Sequence, residues 1–441
     1  MSTASQPVSV TDHLARILAV TSRLGDEEVP LATATGRRLA TDMVARAPVP
    51  PWDNSAMDGY AVRADDVAQA SPDHPVTLDV VADLPAGSDQ DPSLDHGQAV
   101  RIMTGAVVPS QADTVVRSED TDQPTMDRAT PRTVTVLRAP ALGMHVRHRG
   151  EDRRVGETVA AAGTLVRPVV AAALAATGYG TIPVVRSPRV AVIATGSELV
   201  RPGVPLRRGQ TPDSNTLLIS GLAREAGAAI VAVRQLSDEQ TGLATILAEL
   251  DSCDAVIVTG GVGPGAYDPI RGLFGSSSEI TVGTVAMEPG KPQAFGRLPS
   301  GALLFGLPGN PVGAWVSFQV FVRPALLMMQ GAEVSALCPT LRARAGADWS
   351  RTKHTDRTQY LPAWTDREDA GTADTGWVTY PITPRGSHRV ATLARANSMV
   401  VMPVGQTWVH RGDLVDVVVD NADDVLTAEA SATALAVATA S

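Results

Sequence analysis

The spacing of apolar residues changes character along the chain. In TDHLARILAVTSRL, residues 11–24, Leu14, Ile17, Leu18 and Leu24 fall on one helical face, and Thr11 stands where an N-cap belongs. The run APVPPW at 47–52 ends that periodicity. Three β-type runs follow, VTLDVVADL at 76–84, DTVVRSE at 113–119 and TVTVLRA at 133–139, separated by Gly and Pro turns. LVRPVVAAALAATGYG at 165–180 predicts a return to helix, with Gly178 near its end.

From about residue 186 strands and helices alternate. RVAVIAT (189–195) leads to the helix SNTLLISGLAREAG (214–227), and AIVAVRQL (229–236) leads to EQTGLATILAEL (239–250). In the latter, Leu243, Ile246, Leu247 and Leu250 form an i, i+3, i+4, i+7 stripe. The strands DAVIVTG (254–260) and ALLFGLP (302–308) follow, the second feeding the helix VGAWVSFQVFVRPALLMM (312–329). Apolar runs without polar alternation, joined by helices, predict a parallel sheet covered on both faces, a doubly wound α/β domain. After Cys338 the pattern is β again: TQYLPAW (358–364), WVTYPI (377–382), MVVMPV (399–404) and LVDVVVD (414–420). Short strands at turn spacing predict a small barrel or sandwich. The final AEASATALAVATAS, 428–441, predicts a frayed tail.

Composition narrows the function classes. A chain of 441 residues holds two to four domains, because single cores stop growing at roughly 250–300 residues. The net charge of −10 argues against a nucleic-acid binder but leaves room for an anionic small ligand, since local charge can oppose net charge. Cys253 and Cys338 are far apart and outside any CxxC pattern, which fits a reducing compartment and offers no zinc site. The N-terminal MSTASQPVSVTDH has no basic segment followed by an apolar core, and the longest apolar stretch, 169–176, is too short for a bilayer. A cytoplasmic protein that binds neither nucleic acid nor membrane is expected.

Chemistry is expected where ligands meet open parallel sheets, outside the carboxyl ends of the strands. Three such ends run into unusual loops: TGSE at 195–198, GGVGPGAYD at 260–268 and PGNP at 308–311, the last directly before a helix. Glycines let backbone N–H groups approach a phosphate, and a helix N-terminus favours negative charge. One such loop is more often a tight turn. Three on one sheet favour a phosphate or nucleotide site, although none matches GxGxxG or the P-loop. Glu198 and Asp268 end two of the loops; as a pair beside a phosphate they suit a hard cation such as Mg²⁺. Elsewhere, PPWDNSAMDGYAV at 50–62 is too dense in turn formers for a core strand, and RHRGEDRR at 147–154 embeds acids in a basic run. The chain holds only two lysines, Lys291 and Lys353, and Lys291 is clamped in MEPGKP at 287–292.

Taken together, these stretches resemble the molybdopterin molybdenumtransferase family (MoeA and the E domain of gephyrin). The resemblance is carried by PWDNSAMDGYAVRADD at 51–66, RIMTGAVVPSQADTVVRSED at 101–120, RGED at 149–152, TGSEL at 195–199, QTPDSNT at 210–216, TGGVGPGAYD at 259–268, PGKPQAFG at 289–296, GLPGNPVGA at 306–314 and GSH at 386–388. It covers most of the chain from about 45 to 420. It implies Mg-dependent insertion of molybdate into adenylylated molybdopterin, with release of AMP. The implied organisation is an elongated linking or dimerisation domain (1–50 and 150–185), a β-rich lid (51–149), a MogA-like α/β molybdopterin-binding domain (186–332), a C-terminal β-barrel (333–422) and a tail (423–441). It also implies a homodimer whose active site is shared between subunits. A molybdopterin adenylyltransferase and molybdoenzyme maturation proteins are further candidate partners.

By motif, the resemblance assigns catalysis to Asp58, Asp152, Glu198 and Asp268, with Glu198 and Asp268 on the metal. It assigns substrate binding to Thr104, Asp238, Gly260, Gly261, Lys291, Pro308, Gly309, Pro311, Arg357 and Ser387. The chain departs from the family pattern in four places. Glu288 and Thr284 stand where the family has lysines, Gly263 replaces a serine, and Leu361-Pro362 replaces the second arginine of the segment after Arg357. Losing two such cations weakens attraction for an oxyanion by about a few kcal/mol in a partly desolvated cleft. The alternatives are a catalytically weakened molybdopterin-binding or scaffold paralogue, and a molybdopterin adenylyltransferase.

Overall fold

The computed structural model describes residues 6–126, 129–237, 240–263, 268–333, 337, 340–367 and 376–420. The chain divides into two compact units, one of Met1–Glu27, Gly36–Ala40 and Val184–Ser441, the other of Glu28–Thr35 and Thr41–Pro183.

The first unit contains the doubly wound domain. Its strands are β1 (Arg189–Thr195), β2 (Ala229–Leu236), β3 (Ala255–Thr259), β4 (Ile280–Thr284), β6 (Pro292–Arg297) and β7 (Leu303–Leu307), after a short β5 (Met287–Glu288) that joins another sheet. The sheet order is β2-β1-β3-β7-β6-β4. The first four strands are parallel. β6 and β4 add an antiparallel edge. That edge corrects the expectation of an all-parallel sheet: PGKPQAFG, rich in Gly and Pro, reads as a loop, yet its second half is a buried strand. An antiparallel edge on a parallel sheet is a common arrangement.

The continuous apolar runs have the expected cause. Val190 and Val192 of β1 face one core with Ile219 and Leu222 of α1 (Asn215–Glu225), while Ala191 and Ile193 face another with Leu243 and Leu247 of α2 (Gln240–Glu249). Ile270 of α3 (Pro269–Phe274) joins the second core. Each fully buried Val, Ile or Leu contributes about 1.5–3 kcal/mol. The helix after β7, α4 (Pro311–Met329), is 83% buried across its apolar window and supplies much of the first core. It is long and apolar enough to cross a membrane, but it is packed as a core helix. It contains a π turn at Phe318–Val322, just before Pro324. Proline lacks the N–H that an α turn needs and its ring crowds the preceding turn, and the wider π turn accommodates both.

The N-terminal helix spans Val10–Val20, and Ser9, not Thr11, caps it, its hydroxyl accepting from Asp12 N at 3.0 Å. It stops before the expected end because Thr21 bonds back to Ile17 O at 2.8 Å, and Leu24 N turns to Met329 O at 2.8 Å.

The C-terminal strands close into a five-stranded barrel. These are β8 (Thr340–Ala345), β9 (Thr358–Arg367), β10 (Trp377–Pro381), β11 (Ser398–Met402) and β12 (Leu414–Val419), with the short helix α5 (Val390–Leu393) between β10 and β11. The order β9-β10-β8-β12-β11 is closed by pairing of β11 with β9. β8 is a strand the apolar pattern did not reveal, because TLRARA alternates with arginines. β5 pairs in parallel with β9, setting Glu288 opposite Gln359.

The second unit is built on a five-stranded sheet in the order Thr114–Arg117, Gly59–Val62, Gln98–Ile102, Val76–Leu84, Thr133–Val136. Gly59–Val62 is buried at every position, so part of the segment read as too turn-rich for a core strand is one. Tyr60 and Val62 face one cluster and Ala61 another. The helix expected over 165–180 is Pro168–Ala176, started by Pro168 at its first turn.

Candidate active site

Strands β1 and β3 flank the point where the chain's connections change direction across the sheet, and β7 lies next to β3. Each ends in one of the three unusual loops. β1 ends at the buried Thr195, whose hydroxyl donates to Thr259 O at 3.4 Å. The loop after β3 turns through Gly260 and Gly261, with φ of +87° and +68°. A Cβ at Gly260 would lie 2.6 Å from Thr195 O, and one at Gly261 2.7 Å from Pro269 Cδ. Only glycine fits, and the backbone is left open to a ligand. Gly260 N donates to Leu307 O at 3.0 Å, which ties this loop to the end of β7. Asn215 Nδ2 donates to Gly309 O at 2.7 Å and holds the PGNP loop ahead of α4.

The PGKP turn between β5 and β6 is fixed from within. Buried Gln293 donates through Nε2 to Gly290 O and to Ser317 Oγ, both at 2.7 Å. The turn holds Lys291 at the cavity edge. The barrel completes the walls with Gln359–Pro362 of β9 and the loop 384–389. Ser387 O accepts from Val312 N at 3.0 Å, which pins that loop on the first turn of α4.

The result is a cavity of about 1180 Å³ within the first unit. It gathers Glu198, Gly260, Gly261, Asp268, Lys291, Pro308, Gly309, Pro311 and Ser387 from the expected set. Arg357 is not on its lining; its mostly buried side chain lies 3.8 Å from Asp356, and its carbonyl accepts from Arg351 at 2.7 Å. Asp238 lies outside the described residues. Asp58, Thr104 and Asp152 belong to the second unit. There Asp58 Oδ1 accepts from Thr104 N at 2.7 Å and from Thr104 Oγ1 at 2.8 Å. Asp152 sits on an exposed turn, its N–H donating to Val49 O at 3.0 Å.

Several lining residues escaped the sequence reading. Asp213, Asn215, Gln359, Arg385 and Arg389 all line the cavity. The first two lie inside the quoted QTPDSNT, and the arginines flank the quoted GSH, so the signal was adjacent to the motifs. Asp213 is buried and serves structure, accepting from Thr216 N at 3.1 Å and Thr216 Oγ1 at 2.7 Å. Asn215 Oδ1 is buried without a hydrogen-bond partner, an acceptor left for a ligand donor.

The electrostatics soften the departure at Glu288. Arg351 is 6% exposed and fixed by the carbonyls of Gln406, Arg357 and Pro403 at 2.7, 2.7 and 2.5 Å. Burial lowers its pKa, and the charges of Glu288 and Asp356 act to raise it. The charge of Glu288 thus partly offsets the cost of burying that guanidinium. Among the described residues no group of three or more His, Cys, Asp or Glu gathers as a metal cluster. The donor set in the cavity fits a different kind of site. Glu198 folds its carboxylate back against Gly196, where a Cβ would lie 2.6 Å from Oε2. With Asp268 on the same cavity, that gives the one or two carboxylates Mg²⁺ uses when substrate phosphates and water supply the rest.

Comparison with known proteins agrees with this architecture. The MoeA N-terminal region (domain I and II) matches residues 8–178, the probable molybdopterin binding domain matches 191–328, and the MoeA C-terminal region (domain IV) matches 342–419. Molybdopterin molybdenumtransferase 2 of Mycobacterium tuberculosis is 38% identical over 418 residues, covering 93% of this chain and 98% of that protein. The molybdopterin molybdenumtransferase of Bacillus subtilis is 32% identical over 413 residues, covering 93% and 94%. The crystal structure of the MoeA molybdopterin biosynthesis protein from Pyrococcus horikoshii superposes with a TM-score of 0.76 at 28% identity, covering 94% of this chain and all of that one. Sequence, domain order and fold therefore agree: the chain belongs to the molybdopterin molybdenumtransferase family, transferases of molybdenum cofactor biosynthesis.

Proposed function

We propose that this chain inserts molybdenum from molybdate into adenylylated molybdopterin and releases AMP. The observation that carries the reading is the cavity itself. Three strand-end loops of one sheet converge on it, with open backbone at Gly260 and Gly261, the cation Lys291, and the carboxylates Glu198 and Asp268. Phosphates of the adenylylated substrate would lie against the glycine turn and the first turn of α4, where backbone donors and the helix dipole favour negative charge. Lys291 adds a compact charge that reaches a phosphate oxygen. Glu198 and Asp268 would hold Mg²⁺, which when bound neutralises charge on the phosphates of the bond being broken. Asn215 Oδ1 offers an acceptor to a ligand N–H. Asp58, oriented by Thr104, and Asp152 order water and protons near the molybdate oxygens. In this reading the protein acts as a homodimer in which these acids from one subunit complete the site of the other.

The test is AMP release from purified adenylylated molybdopterin. Release by the wild type is expected to depend on molybdate, and Asp268→Ala is expected to lower it about 100-fold, the size of losing one electrostatic stabiliser. Molybdate-independent release would overturn the reaction, and an unchanged rate in Asp268→Ala would overturn that residue's role. Incubation of molybdopterin with ATP is expected to give no adenylylated product.

A further inference from the structure

The loop between β10 and α5 carries two arginines to which the reaction above gives no task. Residues 385–389, RGSHR, form a turn closed by Arg389 N donating to Gly386 O at 3.2 Å and by Val390 N donating to His388 O at 3.0 Å. The Ser387 carbonyl fixes the turn to Val312 of α4. The aliphatic part of Arg389 packs on Gly386, with Cγ and Cδ each 3.4 Å from where a Cβ would stand. Arg385 is anchored by one hydrogen bond, Nη1 to Ser350 O at 3.2 Å, which leaves most of its donors for a ligand. Both arginines line the cavity.

Neither arginine forms an ion pair with a carboxylate among the described residues. Arg385 is exposed as a residue, and partial desolvation at the cavity wall lowers its pKa. A guanidinium at a cavity wall with spare donors and no carboxylate partner is suited to an anionic ligand. The cavity also needs positive charge, since Glu198, Asp213, Asp268 and Glu288 all line it against Lys291, Arg385 and Arg389.

We propose that Arg385 and Arg389, carried on the 385–389 turn, are the oxyanion-binding residues of this cavity. The ligand chemistry is a tetrahedral oxyanion, and a guanidinium fork matches two of its oxygens at once. The inference rests on the proposed reaction for its meaning, because molybdate and the AMP phosphate are the two oxyanions that reaction brings here.

Titration calorimetry on the full chain tests it, with molybdate alone and with AMP alone as separate ligands. Arg385→Gln and Arg389→Gln are each expected to raise the Kd for one of these oxyanions by at least about tenfold, and the double variant by more. Loss confined to molybdate assigns the turn to the metal oxyanion, and loss confined to AMP assigns it to the phosphate. Arg385→Lys is expected to recover only part of the affinity, since it keeps the charge and loses the fork. Adding Glu288→Lys to Arg385→Gln is expected to restore part as well, by exchanging an acid on the cavity lining for a cation. Unchanged affinity for both ligands in the double variant would overturn the proposal. Both residues are exposed, so the variants are expected to keep the wild-type melting temperature. Because binding is read without turnover, absence of AMP release in the wild type would sink the proposed reaction while leaving this result to stand or fall alone.

Discussion

At the scale of residues, charges in this chain follow what surrounds them more than what the sequence pattern expects. Glu288 is a sign reversal in a motif that should carry a cation, yet Arg351 lies close enough for Glu288 to stabilise its buried charge. His13 shows the opposite case, a titratable group placed where charge is unwelcome. It packs edge-on against Phe321 at 4.7 Å and Phe295 at 6.2 Å between ring centroids. Burial, and secondarily the charge of Arg16, push its pKa from 6.5 to about 4. The folded state therefore resists protonation, while the unfolded chain takes up a proton near its ordinary value. Stability is unaffected above pH 6.5 and falls as the pH drops toward 4, by up to about 3 kcal/mol from this group alone. Denaturant titrations at pH 7, 5.5 and 4 are expected to show that loss, and His13→Leu is expected to flatten it. An identical pH profile in His13→Leu would remove His13 as the cause. Apolar spacing identified the helix around His13, but the Phe cage comes from β6 and α4, far away in sequence.

At the scale of elements, the misread segments share one cause. Gly59–Val62 and Pro292–Arg297 are both buried strands hidden in stretches rich in Gly and Pro. Glycine ordinarily weakens a strand, so its presence reads as a turn. In these strands it marks a backbone that passes too close for any side chain. A Cβ at Gly59 would stand 2.0 Å from Val116 O, within a sheet that pairs Gly59 with Arg117 and Ile102. Gly59→Ala is expected to destabilise the second unit by about 3 kcal/mol, because the obstacle is backbone in a paired strand and has little room to yield. Thermal unfolding followed by circular dichroism measures the shift, and a change below about 0.5 kcal/mol would show that the sheet can open there at little cost. The longer elements, β1, β3, β7, α2 and α4, were legible because continuous apolar runs and the 3.6-residue stripe report burial directly. β8 was not, since arginines occupy its outward positions.

At the scale of the whole molecule, the site residues fall into two sets. One set, from Glu198 to Ser387, lines a single cavity, while Asp58, Thr104 and Asp152 belong to the other compact unit. A homodimer with shared sites makes a quantitative prediction. Asp58→Asn and Asp268→Asn are each expected to be nearly inactive. After unfolding and refolding as an equal mixture, activity is expected to recover to about a quarter of wild type, because half the dimers are mixed and each carries one intact site. Recovery of no activity, or a monomeric mass by sedimentation, would overturn the shared site. This scale was partly legible. The order of motifs matches three consecutive family regions across residues 8–419. Which arginines line the cavity was not legible, because Arg385 and Arg389 share a cavity with Lys291 only once the barrel loop is pinned to α4.

The sequence by itself determined the central strands β1, β3 and β7, covered on both faces, the loops that follow them, and the residues of the GG, PGKP and PGNP turns. These follow from local rules: side-chain periodicity reports burial, and Gly and Pro report backbone geometry. Tertiary structure alone decided the charge of the cavity. Whether Glu288 repels an oxyanion or answers Arg351, and whether Arg385 is a surface charge or a ligand-facing one, depends on what lies within a few ångströms across the fold. Electrostatic energy depends on that distance and on the solvent excluded from it, and neither quantity can be read from position along a chain.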